Sequence, residues 1–196
     1  MIELIARKNL KLVVTERQFN ILVGCLLGDG YIHPRGQIQI AHSIKQINYL
    51  NWKYEELKNI SYGLPTTISR FDTRYSKNYT VARFWLRQFF SSWRKEFYQD
   101  GKKVVPINYL NKTSALALAV WYMDDGNFSE NRSVRISTDG FDLAEVLKIK
   151  NFLLSKYGIK SSLQKSGKLR ISSNSLDNFF NLITPFVHSS MKYKIP

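Results

Sequence analysis

Two acids, each closing an apolar run and followed by glycine, are the residues of this chain best suited to chemistry. Asp29 ends the stretch LVGCLLGDG (residues 22–30) and Asp125 ends LAVWYMDDG (residues 118–126), 96 residues further on. An apolar helix that stops this way presents one carboxylate at its C-terminal tip, with Gly30 or Gly126 expected to take the left-handed turn that follows. The ordinary reading of such an acid is a solvated helix end, where the helix dipole slightly disfavours it. Its occurrence in both copies favours chemistry. Two such helices side by side would bring two carboxylates together, as a divalent metal centre needs.

The duplication extends beyond these motifs. Tyr62-Gly63-Leu64 precedes Tyr157-Gly158-Ile159 by 95 residues, and Lys103-Val104-Val105-Pro106 is echoed by Lys194-Ile195-Pro196. Solenoid repeats run to roughly 20–50 residues, so this period implies instead two subdomains related by a pseudo-twofold axis. We expect an N-terminal subdomain with linker over residues 1–110, a C-terminal subdomain over 111–196, and one composite site.

The elements that must position the acids follow from patterning. Thr15 is an expected N-cap for a helix to about Gly28. A hairpin follows, with Ile38 and Ile40 alternating with Gln37 and Gln39 at the period of a half-buried strand. A helix over residues 48–60, a hairpin over 66–72 and 79–86, and a helix over 88–98 complete the first half, and residues 99–110 form the linker. The second half repeats the plan, with helices over 113–123, 143–157 and 175–183 and strands over 133–138, 160–165 and 168–172. The fold class is α+β, αββαββα twice, with two antiparallel four-stranded sheets. Gly24 and Gly28 in one motif helix, and Ala115 and Ala119 in the other, are small residues that would let the backbones approach.

Charge bounds the partner. The chain of 196 residues carries a net +14. Its first 110 residues hold 17 basic and 8 acidic side chains, the remainder 12 and 7. The excess is spread over both halves, and nucleic acid is the leading candidate for a basic folded domain. No 18-residue apolar run or basic amphipathic helix points to a membrane. The single cysteine, Cys25, excludes an internal disulfide and a thiolate zinc site, and lies in an apolar helix where packing is its expected role. His33, His42 and His188 lack metal-ligand spacing, and His33 or His42 is read as nearer to nucleic acid than to catalysis. The N-terminus lacks the features of a signal peptide, and Glu3 with few serines argues against a transit peptide. The excess of lysine over arginine (18 to 11) and the abundance of Ile, Asn, Tyr and Phe fit an A·T-rich, organelle-borne gene.

The two nonapeptides, the GDGYI and WYMDDG sequences and the closing KKVVP and MKYKIP segments resemble the LAGLIDADG homing endonucleases, specifically the single-chain, two-motif members of the organelle-intron branch. The resemblance covers about residues 19–196. It implies a monomer whose motif helices pack together while the sheets form a saddle over double-stranded DNA. It implies site-specific double-strand cleavage by phosphodiester hydrolysis, with Mg²⁺ as cofactor (Mn²⁺ substituting) held by Asp29 and Asp125. The carbonyls of Gly28 and Asp124 would join the shell, and the side chain of Asp124 would be structural. Lys103 and Lys194 match the family's two basic active-site positions, although Lys102 and Lys192 lie close enough to compete. Asp139 is a candidate neighbour of the water network, with a strand-end turn residue as the plain alternative.

Arg, Lys, Gln and Asn suit purine edges. Expected DNA-reading residues on one strand parity are Gln37, Gln39, Arg83, Arg135, Ser137, Gln164, Lys168 and Arg170, with Arg70, Asp72, Arg74 and Tyr75 in or near the second hairpin. Arg35, Lys77, Arg132 and Lys165, in turns, are expected on phosphates. An intron RNA maturase, acting on host-intron RNA alone or in addition to cleavage, is the second reading. A DNA-binding protein without catalysis is the third, disfavoured because it would need neither acid. The organelle would be a mitochondrion or chloroplast.

Overall fold

The computed structural model describes residues 1–5, 10–73, 76–129 and 133–196, and for Asp72 the backbone only. Arg74, Tyr75 and Arg132, all expected on DNA, lie outside the described residues, as does the side chain of Asp72. The chain divides into two compact units, Met1–Phe19 with Asp29–Arg94, and Asn20–Gly28 with Lys95–Pro196.

In the first unit, strands β1 (Ile2–Ile5) and β2 (Lys11–Val14) form an antiparallel hairpin ahead of helix α1 (Glu16–Leu27). Thr15 and Gln18 cap α1 reciprocally. The Gln18 N–H donates to Thr15 Oγ1 (3.2 Å) and the Thr15 N–H donates to Gln18 Oε1 (3.1 Å), satisfying two amides that a helix start would leave orphaned. Strands β3 (Tyr31–Ile32), β4 (Ile38–Ser43), β5 (Ser61–Asp72) and β6 (Lys77–Leu86) form an antiparallel sheet in the order β3-β4-β6-β5, against which helix α2 (Ile47–Leu57) packs. Ile32, Ile38, Ile40, Tyr49, Leu50, Leu57, Phe84 and Leu86 are buried in this unit. The expected alternation along β4 is present, Ile38, Ile40 and His42 facing inward while Gln39 and Ala41 are half-exposed. Helix α3 (Ser91–Phe97) crosses the boundary between the units.

The second unit opens on a hairpin of β7 (Tyr98–Gln99) and β8 (Lys102–Lys103), then a short helix α4 (Ile107–Asn111), where the sequence reading placed a plain linker. Helix α5 (Ala115–Asp125), capped by the Ser114 hydroxyl, leads without a gap into β9 (Gly126–Ser129). Strands β9, β10 (Ser133–Ile136), β11 (Ser161–Leu163) and β12 (Leu169–Ile171) pair antiparallel in the order β11-β12-β10-β9. This repeats the first sheet's order. Helix α6 (Leu143–Tyr157) has the expected bounds. Its Asp142 cap accepts from the Glu145 N–H (3.0 Å), and Gly158 ends it in the left-handed region at φ 66°. Helix α7 (Leu176–Ile183) and a 3₁₀ segment (Ser189–Lys194) close the chain. The fold class is thus the expected α+β, with two four-stranded antiparallel sheets.

Residues 20–27 of α1 and the following Gly28 belong to the second unit, where they pack on α5. Both helices are buried almost throughout, over residues 19–27 and 116–123, as helices apolar on every side must be. A Cβ on Gly24 would lie 2.6 Å from the Ala117 carbonyl oxygen and 2.7 Å from Val120 Cβ, and one on Gly28 would lie 2.7 Å from Asp124 Cβ. The glycines therefore permit the approach, and the atoms nearest them belong to Ala117, Val120 and Asp124.

The expected left-handed glycines are a second correction. Gly126 is extended, at φ −80° and ψ 151°, and Gly30 is not among the left-handed glycines of the described residues. Because α5 runs directly into β9, no turn is needed. Gly126 is small for another reason, since a Cβ there would meet the Tyr122 ring at 2.1 Å.

Replacing Gly24 by Ala drives a methyl into a backbone carbonyl that cannot move without displacing α5. We expect it to cost about 1–3 kcal/mol and to lower Tm by on the order of 5 °C. Gly140→Ala, with nothing within 4 Å of the added carbon, should leave Tm unchanged in the same calorimetric comparison.

Candidate nuclease site

At the shared end of the motif helices in the second unit lies a cleft of about 280 Å³, lined by Leu27, Gly28, Lys103, Asp125, Ser137, Asp139, Gly140 and Phe141. Asp125 sits on the last residue of α5, and its carbonyl accepts from the Ser137 N–H (3.0 Å), which fastens the helix end to the strand beyond β10. Lys103 projects from β8, donates to the Gly28 carbonyl (2.7 Å) and lies 5.8 Å from the centre of the Phe141 ring. Lys102, its rival in the sequence, is exposed and lines a different cavity with Asp142 and Glu145.

The hairpin explains why Lys103 points where it does. Asp100 (φ 49°) and Gly101 (φ 79°) are both left-handed, the requirement of a two-residue type I′ turn, which Asp-Gly favours. That turn reverses the chain so that the Lys103 ammonium reaches the end of α1. The Asp-Gly pair was a hairpin signal inside the presumed linker.

Lys194 plays the matching part at the other helix end. Its ammonium donates to the carbonyls of Met123 (2.6 Å) and Asp124 (3.2 Å), while Lys192 is exposed. The Tyr122 hydroxyl donates to the Lys194 carbonyl (2.6 Å), so this lysine is held by both backbone and side chain. Burial raises the Tyr122 phenol well above its ordinary range, keeping it a donor. Tyr122 is a positioning residue that the sequence reading passed over. Each lysine thus places a cation against the C-terminal carbonyls of one motif helix, where the helix dipole favours it.

Asp29 follows Gly28 in the chain and belongs to the first unit, where its carboxylate Oδ2 lies 3.4 Å from His42 Nδ1. The His42 side chain is only 1% exposed, so the expectation that it might touch DNA is corrected. It shares the inward parity of Ile38 and Ile40, which the alternation along β4 already encoded.

The open sheet faces carry the expected reading residues. In the second unit the ladder sets Asn127, Arg135, Arg170 and Ser162 in one row across four strands, with Ser137, Gln164 and Lys168 on the same parity. In the first, Tyr31, Gln39, Trp85 and Tyr62 form one row, and Ala41, Arg83 and Thr66 the next. Arg70 pairs opposite Tyr79 towards the hairpin tip, and Lys77 opposite Asp72. Gln39 Nε2 and Arg83 Nε are buried without a hydrogen-bond partner, so both rows hold donors still to be satisfied. Gln37 is half-buried, and Arg35 and Lys165 are exposed.

The donor set of the cleft is oxygen only, comprising the Asp125 and Asp139 carboxylates, the Gly28 carbonyl and the Ser137 hydroxyl. This chemistry fits a hard divalent cation and not a soft one.

A basic protein with a four-stranded antiparallel sheet in each unit, and with Asp125, Lys103 and Lys194 at the ends of two packed helices, has the architecture of a LAGLIDADG homing endonuclease. The chain belongs to the LAGLIDADG DNA endonuclease family, whose model matches residues 19–179. It is 30% identical to a cytochrome b mRNA maturase bI2 of Debaryomyces hansenii, over 92% of this chain and 74% of that protein. It is 28% identical to the bI2 maturase of Saccharomyces cerevisiae, over 90% and 46% respectively. A protein named RecA from Mycolicibacterium flavescens is 30% identical over 93% of this chain, which spans 47% of that relative's length. Among solved structures, the homing endonuclease I-WcaI bound to its DNA recognition sequence aligns with a TM-score of 0.83 at 23% identity, covering 94% of this chain and 88% of its own.

The closing 3₁₀ segment that carries Lys194 depends on His188. As its N-cap, His188 accepts the Ser190 N–H at Nδ1 (3.3 Å), and burial lowers its pKa below the ordinary 6.5. Below pH 6.5 the unfolded chain therefore binds this proton more readily than the folded one. The stability His188 contributes is present above that pH and lost as pH falls through the lowered folded value. Between pH 7.5 and 5.5 the parent should lose more Tm than His188→Asn, which caps without titrating; equal losses would rule out the cap's titration as the cause.

Proposed function

We propose that this chain is a site-specific homing endonuclease that makes metal-dependent double-strand breaks in a long DNA target. The observation that carries the reading is the cleft at the motif-helix ends, where oxygen donors and an ammonium line the same space. Asp29, Asp125 and the carbonyls of Gly28 and Asp124 are the groups we assign to hold Mg²⁺, with Mn²⁺ as a substitute. A divalent cation bound there would supply Lewis acidity to the phosphate and lower the pKa of an attacking water. Lys103 and Lys194 bring positive charge to the scissile phosphates, offsetting the charge that builds in the transition state. Asp139 and Ser137 border the same cleft and are suited to order its water. Arg135, Arg170, Lys168, Gln164, Gln39, Arg83 and Arg70 read or hold the duplex from the sheets, Arg35, Lys77 and Lys165 hold phosphates, and the protein acts as a monomer. The subdomain boundary near residue 110 and an organelle-borne gene belong to the same proposal.

The maturase relatives support a second reading, in which the same basic faces bind host-intron RNA, alone or in addition to cleavage. Intact acids at both motifs favour cleavage, because RNA binding alone needs neither.

Asp29→Asn or Asp125→Asn should abolish double-strand cutting while leaving specific DNA binding within a few-fold of the parent, since neither acid belongs to the reading rows. Lys103→Met or Lys194→Met should slow cutting unequally on the two strands. End-labelled strands assayed separately with Mg²⁺ decide the assignment, and full cleavage by Asp125→Asn would overturn it.

A +14 chain neutralising about ten phosphates should show a log–log salt slope near about −9 in target binding. A slope near zero in a titration across potassium chloride concentrations would remove the extended DNA interface. RNA bound tightly by a chain that leaves its DNA target uncut would instead support the maturase.

A further inference from the structure

Within the first unit, Lys53 of α2 is completely buried. Its ammonium nitrogen lies 2.9 Å from His42 Nε2 and 4.4 Å from the centre of the Tyr49 ring. The other nitrogen of the same imidazole, Nδ1, lies 3.4 Å from Asp29 Oδ2. The ring is wedged against Tyr49, centroids 5.1 Å apart, and Tyr49 stacks on Trp52. A buried lysine joined through a buried histidine to the motif carboxylate is an expensive arrangement, and packing alone does not call for it.

An ammonium has three donors and no acceptor. With Lys53 charged, as the facing Tyr49 ring favours, His42 Nε2 must accept, and the single proton of a neutral imidazole must sit on Nδ1. The nitrogen that carries it lies 3.4 Å from Asp29 Oδ2. We propose that Lys53 and His42 are positioning residues: Lys53 sets the tautomer of His42, and the resulting Nδ1–H holds the Asp29 carboxylate in one orientation. The Asp29 side chain is 47% exposed, and a donor fixed in the buried part of the unit limits the rotamers that its carboxylate samples. Two opposite charges bridged by a neutral ring also offset the burial of the lysine.

The duplication gives an internal control. The 96-residue register carries His42 to Thr138 and Lys53 to Ile149. Thr138 is buried and its hydroxyl donates to the Gly167 carbonyl, and Ile149 is buried in the apolar core. The tautomer-setting pair therefore occurs in the first half alone.

The inference rests on the nuclease reading for its purpose, but not for its test. The full chain, metal-free and near about pH 8, where imidazoles are ordinarily neutral, is examined by nitrogen-15 NMR of its histidine rings, with the His42 signals assigned from His42→Gln. The expected result is a protonated Nδ1 and an unprotonated Nε2 at His42, changing in Lys53→Met to a mixture or to the Nε2–H form. A protonated Nε2 in the parent, or an unchanged tautomer in Lys53→Met, overturns the proposal whether or not the parent cuts DNA. In the cleavage arm, Lys53→Met should lose about tenfold or more in rate with DNA affinity retained. The double variant His42→Gln with Lys53→Met, whose amide donates without a tautomer to choose, should recover much of it. A double variant no faster than Lys53→Met would show that the lysine acts through packing and overturn the positioning role. A parent that cuts no DNA removes the nuclease reading while the ring spectra still decide the tautomer.

Discussion

The closeness of the two motif helices is the constraint on which the rest of the structure depends. At Gly24 the α1 backbone lies so near the Ala117 carbonyl that a single methyl has no room, and at Gly28 it is just as near Asp124. Contacts this short exclude water and side chains from the seam, and buried apolar surface then accounts for its stability. They also bring the C-terminal carbonyls of both helices into one unit. Those carbonyls have no partners inside their own helices, and Lys103 and Lys194 supply them. The residues proposed for chemistry are therefore also those that satisfy the helix ends, so a lysine lost from the site is lost from the fold.

Much of this was legible in the sequence. The motif helices are apolar on every side over eight or nine residues, a pattern that only a buried helix explains. The capping signals at Thr15 and Asp142, the glycine after Tyr157 and the strand alternation around Ile38 and Ile40 each encode their element locally. The parts that were misread depend on tertiary neighbours. Gly126 resembles a helix-ending glycine, yet the constraint on it is the Tyr122 ring. The neighbours of Gly24 are not encoded in spacing along α5, because the crossing of the two helices selects Ala117 and Val120. His42 was grouped with surface residues because its type is polar, although its parity assigns it to the core. The β7–β8 hairpin was overlooked because two-residue strands carry almost no pattern, and only the Asp100-Gly101 pair marks it.

The open sheet faces show where stability was given up. Arg135 and Arg170 sit directly opposite one another in the ladder, and like charges in that position destabilise a sheet. Gln39 and Arg83 hold buried donors that nothing among the described residues satisfies, which costs more than leaving them in water. A core selected only for stability would keep none of these. A surface selected to meet phosphate oxygens and base edges would keep all of them, because the polyanion relieves the repulsion and accepts the hydrogen bonds. On the proposed function, binding and folding draw on the same residues with opposite sign, and within the second unit the closely packed motif helices supply stability that its sheet face consumes.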